Sequence, residues 1–514
     1  MAQGFILPVC GLFCLVILSV LYSRRRRRLR LPPGPKKRPI IGNMLDMPSH
    51  CQWEVYAGWS REYNIIHLGI PITGTSIIVL SSVQAAQDLL DKRSPIYSDR
   101  PRFTMFHDLL AGDRFFGLGK YGDTWRAHRR LFHQAFNGPA GRRFHPHVLK
   151  YAHDLLRRLL EEPVAFADHF DHVIAANIIS ITYGVNIESS NDPCMTATSS
   201  GMDAVRSALI PGRFLVDAIP ILRYLPAWTP GAGFKRQAAQ WKQKVQEMID
   251  LPFDTAKHIF NGGKAYPSFV MDNLRELDEY GQKHAQEEDI KHAAASIYGA
   301  GTDTSRFALR VFIRGILENP EAQAKAQQEI DAVVAPGHLP DFADEADLPW
   351  VSACLKETLR WWPITPLGLP RIVRGEDVYR GYRIPDGSIV FANAWAMLHN
   401  ETMYPNPGAF KPERFLREGK LNPAVMDPNI AAFGFGRRIC AGKDIAWDIL
   451  WIMVASILAT FDITKAIGEN GEVLEPHTGH AEELVDFSFP LPFKCCIKPR
   501  SQAAKELIRS TAKF

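Results

Sequence analysis

The stretch Ala432–Gly442 reads AFGFGRRICAG and places Cys440 shortly after two adjacent arginines, with three glycines close by. A cysteine that only fills a hydrophobic core behaves as a small apolar residue and has no use for charged neighbours. A cysteine that must remain a thiolate needs nearby positive charge, backbone N–H groups and access for another molecule. The composition of this stretch therefore indicates a functional thiolate, and the rest of the chain must show what approaches it.

The overall composition is that of a globular protein. The chain has 514 residues, of which 46% are hydrophobic and 22% are charged, and its formal net charge is +5. This length is enough for one large domain or for two to three ordinary ones. So mild a positive charge does not indicate a nucleic-acid-binding protein, and it is more typical of contact with a membrane surface or an acidic protein partner.

The cysteines are scattered along the chain. There are 8 of them, without repeated CxxC pairs. This spacing argues against a disulfide framework and against a zinc module, and it favours a reducing compartment in which one cysteine has a special role.

The N-terminus predicts a membrane anchor. Phe5–Tyr22 is apolar and uncharged, and Arg24–Arg28 follows directly. Such a segment is long enough to cross a bilayer, and the arginines keep the main domain on the cytosolic side. The alternative, a cleaved signal peptide, lacks a basic region before the apolar stretch and a cleavage site of small residues. The predicted organisation is an anchor (1–23), a basic and proline-rich hinge (24–43), a catalytic domain (44–500) and a C-terminal tail (501–514).

Most of the chain after the hinge has helical periodicity. We predict one mainly α-helical domain with a small β portion, because apolar residues recur at three-and-four spacing and β-branched runs are few and short. The clearest predicted helices are Val148–Leu160, Ala322–Val334 and the segment after Gly442. The predicted strands are Ile65–Leu68, Ile77–Leu80, Val378–Ile384, Ser388–Phe391 and a region near Cys495–Ile497.

One segment departs from this pattern. Pro211–Pro230 is apolar, aromatic and interrupted by prolines. It is too irregular for a second membrane span, and its composition fits a flexible lid or a surface that dips into the bilayer. A buried loop between helices explains the composition equally well.

Four further stretches carry chemistry only in combination. Asp303 and Thr304 follow two glycines within a helical run, where a kink and a proton-relay pair are one interpretation and a solvated carboxylate the other. Glu357 and Arg360 lie one helical turn apart, as do ordinary surface ion pairs. Arg414 is a further charge that could lock this pair from a distance. The fourth stretch has Trp125 and Arg129 on one helix face, which suits a carboxylate or phosphate or is simply a basic surface.

Together, in this order and at these separations, the stretches resemble a cytochrome P-450, a haem-thiolate monooxygenase. The pattern Phe433-x-x-Gly436-x-Arg438-x-Cys440-x-Gly442 matches the haem-binding signature of that family at each defined position, and the resemblance covers nearly the whole chain. It implies haem b (iron protoporphyrin IX) as cofactor and Cys440 as the axial ligand of the haem iron.

The resemblance also implies roles for the other residues. Phe433, Gly436 and Gly442 are expected to shield the sulfur and leave room for the porphyrin, and the helix after Gly442 to hold the sulfur deprotonated. Trp125, Arg129, Arg371 and Arg438 become expected partners of the haem propionates, although many relatives have histidine where Arg371 stands. Glu357, Arg360 and Arg414 become a structural ion network, and Asp303 with Thr304 becomes the catalytic pair that delivers protons during dioxygen activation.

The expected substrate is a small lipophilic molecule. The residues expected around it are mainly apolar, namely Ile297, Tyr298, Ala300, Leu367 and Leu369. Tyr298 either offers a hydrogen bond to the substrate or packs between helices. The resemblance is greatest to fungal members that tailor natural products, which places terpenoids first, before aromatic polyketides and indole amines.

The expected setting is the endoplasmic reticulum membrane. Electrons are expected from NADPH through a separate cytochrome P-450 reductase, with cytochrome b5 as a further donor that the resemblance allows; no nucleic acid is expected as a partner. Two other functions remain open at this point: a haem-thiolate isomerase or dehydratase that does not need dioxygen, and a non-catalytic haem-binding protein.

Overall fold

The computed structural model describes residues 29–210, 212–263, 266–280, 284–476, 479–484 and 487–513. Within these residues the chain forms two compact units. The first unit comprises residues 29–101 and 369–393, and the second comprises residues 102–368 and 394–513.

The first unit is built around a small sheet. The elements of this unit are α1 (Gln52–Trp59), β1 (Ile65–Ile70), β2 (Thr75–Leu80), α2 (Val83–Ala86), β3 (Arg371–Ile372), β4 (Asp377–Tyr379), β5 (Tyr382–Ile384) and β6 (Ile389–Ala392). The sheet has the strand order β1-β2-β6-β3, with β1 antiparallel to β2 and β2 parallel to β6. Strands β4 and β5 form a separate antiparallel pair.

The second unit is mainly helical. Its helices are α3 (Asp123–Phe136), α4 (His145–Glu161), α5 (Phe166–Tyr183), α6 (Pro193–Ala208), α7 (Leu215–Ala218), α8 (Gly233–Asn261), α9 (Phe269–Tyr280), α10 (His284–Glu318), α11 (Pro320–Val333), α12 (Pro349–Trp361), α13 (Ala394–Leu398), α14 (Asn429–Ala432), α15 (Lys443–Thr460) and α16 (Gln502–Ser510). Its strands are β7 (Leu416–Arg417), β8 (Lys420–Leu421), β9 (Phe461–Lys465), β10 (His480–Leu484), β11 (Phe487–Pro490) and β12 (Cys495–Pro499).

Two helices organise the core of the second unit. Helix α15 is buried on nearly all sides from Ile449 to Leu458, as expected for a helix that is apolar all round. Helix α10 has 35 residues and is about 52 Å long. It packs against α5 and against shorter stretches of α3, α8, α9, α12 and α15. A single long helix therefore carries side chains to many parts of this unit.

The predicted mainly α-helical fold with a small β portion is confirmed. The helices expected at Val148–Leu160 and Ala322–Val334 correspond to α4 and α11, and the helix expected after Gly442 corresponds to α15. The strands at 416–417, 420–421, 461–465, 480–484 and 487–490 were not anticipated from the sequence.

The predicted anchor, residues 1–23, lies outside the described residues, as does most of the basic run after it. Among the residues that the structure does describe, no helix combines the length and the apolar character needed to cross a membrane. Residues 212–230 of the unusual proline-rich segment form the short helix α7 and a 3-10 turn at Pro220–Tyr224.

Candidate active site

The cysteine loop is a tight turn directly before helix α15. The N–H of Cys440 donates to the carbonyl of Phe433 at 2.8 Å, and the N–H of Ile439 donates to the carbonyl of Gly436 at 3.0 Å. Gly436 has φ of 58°, in the left-handed region that favours glycine. Gly442 has φ of −99°, which any residue can adopt, so the backbone does not require glycine there. A Cβ at this position would meet Ile445 at 3.7 Å, an ordinary contact distance. Neither the backbone conformation nor the packing of the described residues therefore requires glycine at position 442.

Cys440 is exposed and yet lies deep within the protein. Its side chain is accessible to solvent, whereas burial raises the pKa of its thiol. The two facts agree if the sulfur faces a recess surrounded by protein, and not the outer surface. The N–H of Gly442 and the charge of Arg129 oppose the effect of burial on this pKa but do not outweigh it. The N–H at the start of α15 thus acts in the expected direction on the sulfur, and a coordinated metal ion deprotonates a thiol outright.

Helix α3 brings Trp125 and Arg129 to the cysteine loop. Arg129 donates from Nη1 to the carbonyl of Ile439 at 2.7 Å, next to Cys440. The guanidinium of Arg438 lies over the Trp125 ring, 4.7 Å from the ring centre. Burial lowers the pKa of Arg129, partly offset by the charge of Cys440. Three of the four residues expected to meet the haem propionates are thus close together, on α3 and on the cysteine loop.

One buried donor in this group has no partner within the chain. Trp125 is 6% exposed, and its Nε1 has no hydrogen-bond acceptor among the described protein atoms. Buried N–H groups are nearly always paired, so an unpaired one beside two arginines indicates an acceptor supplied from outside the chain. A carboxylate fits that position, because it accepts from both the indole and guanidinium groups. The residues present therefore fit a haem with its propionates on this side.

Asp303 and Thr304 lie in the middle of α10. The hydroxyl of Thr304 donates to the carbonyl of Ala300 at 2.8 Å, one turn earlier on the helix. Asp303 is buried, and its carboxylate binds two arginines, Arg206 at 2.5 Å and Arg306 at 2.9 Å. Asp303 is therefore not the solvated carboxylate that the sequence allowed, and it is not an unpaired acid beside Thr304. It belongs to a buried cluster of ion pairs.

Arg206 was not identified from the sequence. It lies on α6 and binds Asp203 as well as Asp303. Burial alone would lower the pKa of Arg206, but the two carboxylates outweigh it and the net pKa is raised. The i,i+3 spacing of Asp203 and Arg206 gives a local signal, whereas the contact with Asp303 spans 97 residues and gives none.

The expected substrate-pocket residues of the second unit differ in their surroundings. Ile297, Tyr298 and Leu367 are buried, and Ala300 is exposed on the central part of α10. Burial raises the pKa of Tyr298, although hydrogen bonds with Thr198 and Thr302 oppose this. The phenol of Tyr298 thus lies among helix side chains, a placement that favours packing over a contact with substrate.

The expected structural network forms as a buried cluster in the second unit. Arg360 donates to Glu357 from Nε at 2.7 Å and from Nη2 at 2.8 Å, while Arg414 donates from Nε at 3.1 and 3.2 Å. The N–H of Lys411 adds a further bond to Glu357 at 2.7 Å. Glu357 and Arg360 are both 0% exposed. This pair is therefore not the solvated surface pair that its spacing also allowed.

The remaining predicted site residues belong to the first unit. Arg371 lies on β3 opposite Val390 and is buried, and burial lowers its pKa to about 10. The carbonyl of Leu369 accepts a hydrogen bond from Arg100 at 2.7 Å.

An accessible thiol, with an unpaired indole N–H and two arginines near its loop, is the combination that a haem-thiolate site requires. The chain belongs to the cytochrome P-450 family, whose family model matches residues 32–477. It is 45% identical to cytochrome P-450 monooxygenase 98 of Postia placenta, over 99% of this chain and 98% of the relative. It is 42% identical to cytochrome P-450 monooxygenase ple1 of Rhodocybe pseudopiperita, over 98% and 96%. It is 39% identical to the tryptamine 4-monooxygenase of Psilocybe cyanescens, over 98% and 99%.

The family membership has two direct consequences. The chain is an oxidoreductase of the monooxygenase type, and its cofactor is haem b. The isomerase or dehydratase and the non-catalytic haem-binding protein are thereby less well supported than the monooxygenase.

Proposed function

We propose that Cys440 is the axial ligand of the haem iron and that Trp125, Arg129 and Arg438 bind the haem propionates. The observation that carries this proposal is the buried Trp125 Nε1, which has no acceptor among the described residues. It lies on the helix whose Arg129 binds the carbonyl of Ile439, directly before the accessible thiol of Cys440. When bound, the haem supplies dioxygen activation. Phe433 and Gly436 shape the turn that presents the sulfur. We assign Gly442 to the approach of the porphyrin, because the chain's own packing does not require glycine there. Arg371 stays a predicted fourth partner of the propionates.

The proposed reaction inserts one oxygen atom from dioxygen into a small lipophilic substrate. The second oxygen atom leaves as water, which requires two electrons and two protons. We assign proton delivery to Asp303 and Thr304, because a carboxylate and a hydroxyl in succession on one helix can pass a proton along it. Arg206 and Arg306 bind the Asp303 carboxylate and fix its position on α10.

The proposed substrate class is a terpenoid-like fungal metabolite. Ile297, Ala300 and Leu367 offer apolar contacts, and the Asp303 carboxylate on α10 is already bound by two arginines. An indole amine is the second candidate, because one relative is named for its action on tryptamine. A substrate ammonium group needs a free carboxylate, and Asp303 does not offer one; this favours the uncharged class.

The proposed electron donor is an NADPH-dependent reductase on a separate chain. Arg126, Arg130, Arg437 and Lys443 are exposed on α3, on the cysteine loop and at the start of α15. They form a basic surface beside the proposed haem ligand that suits an acidic partner. Cytochrome b5 has the same electrostatic requirement and remains a second donor.

We further propose attachment to the endoplasmic reticulum membrane through residues 1–23, with the catalytic domain in the cytosol. The segment 212–230 supports a second lipid contact, since Leu215 and Trp228 are 71% and 81% exposed and Ile221 and Tyr224 are exposed beside them. Brominated lipids should quench the fluorescence of the full-length protein more than that of the Trp228→Phe variant. Equal quenching would argue against this contact.

The function is tested by co-expression with an NADPH-dependent reductase. Terpenoids, aromatic polyketides and indole amines are supplied together, and products are measured by mass with and without the reductase. A gain of one oxygen atom that requires the reductase supports the proposal and identifies the substrate class. The Cys440→Ser variant should lose the absorbance near 450 nm of the reduced, carbon-monoxide-bound haem-thiolate; its retention would exclude Cys440 as the ligand.

A further inference from the structure

The loop Phe115–Tyr121 (FFGLGKY) lies between helix α10 and the proposed propionate donors. It is closed on itself by two hydrogen bonds, in which the N–H groups of Leu118 and Gly119 donate to the carbonyl of Phe115 at 3.2 and 2.8 Å. In this compact turn the N–H of Phe116 faces Ser296 and the carbonyl of Phe116 faces Arg438. We call it the 115–121 loop.

On one side, the 115–121 loop is held by a single side chain of α10. The N–H of Phe116 donates to the hydroxyl oxygen of Ser296 at 3.0 Å. The same hydroxyl donates to the carbonyl of His292 at 2.8 Å, which fixes its hydrogen towards the helix and leaves the oxygen lone pair for Phe116. Ser296 is 6% exposed, so water does not readily replace this bond.

On the other side, the 115–121 loop contacts two of the three proposed propionate donors, Arg438 and Trp125. Arg438 donates from Nη1 to the carbonyl of Phe116 at 3.3 Å and from Nη2 to the carbonyl of Gly119 at 2.8 Å. The Phe116 ring stacks on Trp125 with centroids 5.6 Å apart and an angle of 13° between the planes. Phe116 therefore provides both a backbone carbonyl that accepts from Arg438 and an aromatic ring that stacks on Trp125.

We propose that Ser296 is a positioning residue for the haem propionates. Its hydroxyl fixes Phe116, and Phe116 in turn fixes Arg438 and Trp125. The proposal rests on the proposed function, because it takes Arg438 and Trp125 as propionate donors. It adds a route by which α10, next to the predicted pocket residue Ile297, determines how the haem edge is held.

The test measures how firmly the haem is held and how its charge is balanced. Haem-loaded Ser296→Ala and Ser296→Thr are compared with the wild type in the rate of haem transfer to excess apomyoglobin and in midpoint potential. A hydrogen bond contributes about 0.5–1.5 kcal/mol, so the alanine variant should transfer haem about 2- to 10-fold faster. Its potential should be more negative, because less well-placed donors balance less of the propionate charge. The threonine variant keeps the hydroxyl and should remain within about twofold of the wild type.

Two controls separate this role from general destabilisation and from failure of the proposed function. Ser352 is a buried serine that accepts a hydrogen bond from Trp451 Nε1 at 3.1 Å, away from the loop, and Ser352→Ala should change neither the transfer rate nor the potential. Trp125→Phe removes the proposed donor itself and should speed transfer.

Each outcome decides the question. Faster transfer and a lower potential in Ser296→Ala alone, restored by threonine, support the proposal. If Trp125→Phe speeds transfer and Ser296→Ala does not, the positioning role is wrong while the propionate role stands. If Trp125→Phe has no effect, the propionate role fails and the positioning role with it. If Ser352→Ala matches Ser296→Ala, or threonine does not restore the wild-type values, the effect is general and the proposal is overturned.

Discussion

Replacing Glu357 by glutamine tests the energetics of a charge cluster that has no access to water. The Glu357 carboxylate accepts hydrogen bonds from Arg360, Arg414 and the N–H of Lys411. Glutamine keeps the shape of the side chain, but one of its two terminal groups becomes an N–H donor and faces a guanidinium. A hydrogen bond to a charged group contributes about 1.5–3 kcal/mol, and removing one partner of a buried ion pair costs about 3–5 kcal/mol. We therefore expect Glu357→Gln to lower the free energy of unfolding by about 3–5 kcal/mol.

The assay is urea unfolding of the haem-loaded protein, followed by haem absorbance and tryptophan fluorescence. Asp331→Asn is the matched control, because Asp331 binds Arg500 through two bonds of 2.9 and 2.5 Å but its side chain is 57% exposed. An exposed pair contributes at most about 1 kcal/mol, so this control should change stability little. If Glu357→Gln and Asp331→Asn lower the free energy of unfolding by the same small amount, burial does not make the Glu357 cluster more important for stability than an exposed ion pair.

Three further predictions concern other parts of the chain. Burial lowers the pKa of His67 from 6.5 to about 4 in the folded protein. Between these two pH values the unfolded chain binds more protons than the folded one, so the free energy of unfolding falls on acidification by up to about 1.4 kcal/mol per pH unit. Acid denaturation of His67→Gln should show a shallower fall over the same range. Asp303→Asn should reduce kcat about 100-fold at unchanged haem content, measured by product formation with saturating reductase, and an unchanged kcat would remove Asp303 from proton delivery. A Cβ on Gly315 would lie 2.5 Å from the Phe410 ring, so Gly315→Ala should destabilise by about 1–3 kcal/mol in thermal unfolding, whereas Gly58→Ala, also helical and with open space around it, should stabilise by about 0.5–1 kcal/mol.

The sequence predicts well whatever depends on local pattern. The strand pair 65–80 and helix α15 follow from β-branched runs and from a continuous apolar stretch, and the structure has both. The contact between Glu357 and Arg360 follows from helical spacing. The complete burial of this ion pair does not follow from helical spacing. It depends on contacts with Leu398, Ala409 and Arg414, which are distant in sequence.

Long-range contacts account for most of what the sequence did not predict. The i,i+3 spacing of Asp303 and Arg306 gives a local signal for one ion pair, whereas only the approach of α6 shows that Arg206 also binds Asp303. Ser296 is one of many serines in the chain, and nothing near it in sequence indicates that its hydroxyl accepts from Phe116, 180 residues earlier. The pKa of Cys440 depends on the burial of its thiol and on the charge of Arg129. Neither can be read from the local sequence, because Arg129 lies far from Cys440 along the chain.

The length of α10 has a consequence for laboratory evolution of this enzyme. Within about two turns, this helix carries Ser296, which holds the 115–121 loop, the predicted pocket residues Ile297 and Ala300, and the charge cluster at Asp303. A mutation that enlarges the pocket by shifting this helix will also displace the other groups, so beneficial substitutions here should combine non-additively. Residues 212–230 lie on short, exposed elements, and changes there should combine more nearly independently. Libraries that seek new substrates should therefore randomise that segment first and vary α10 in small, jointly selected sets.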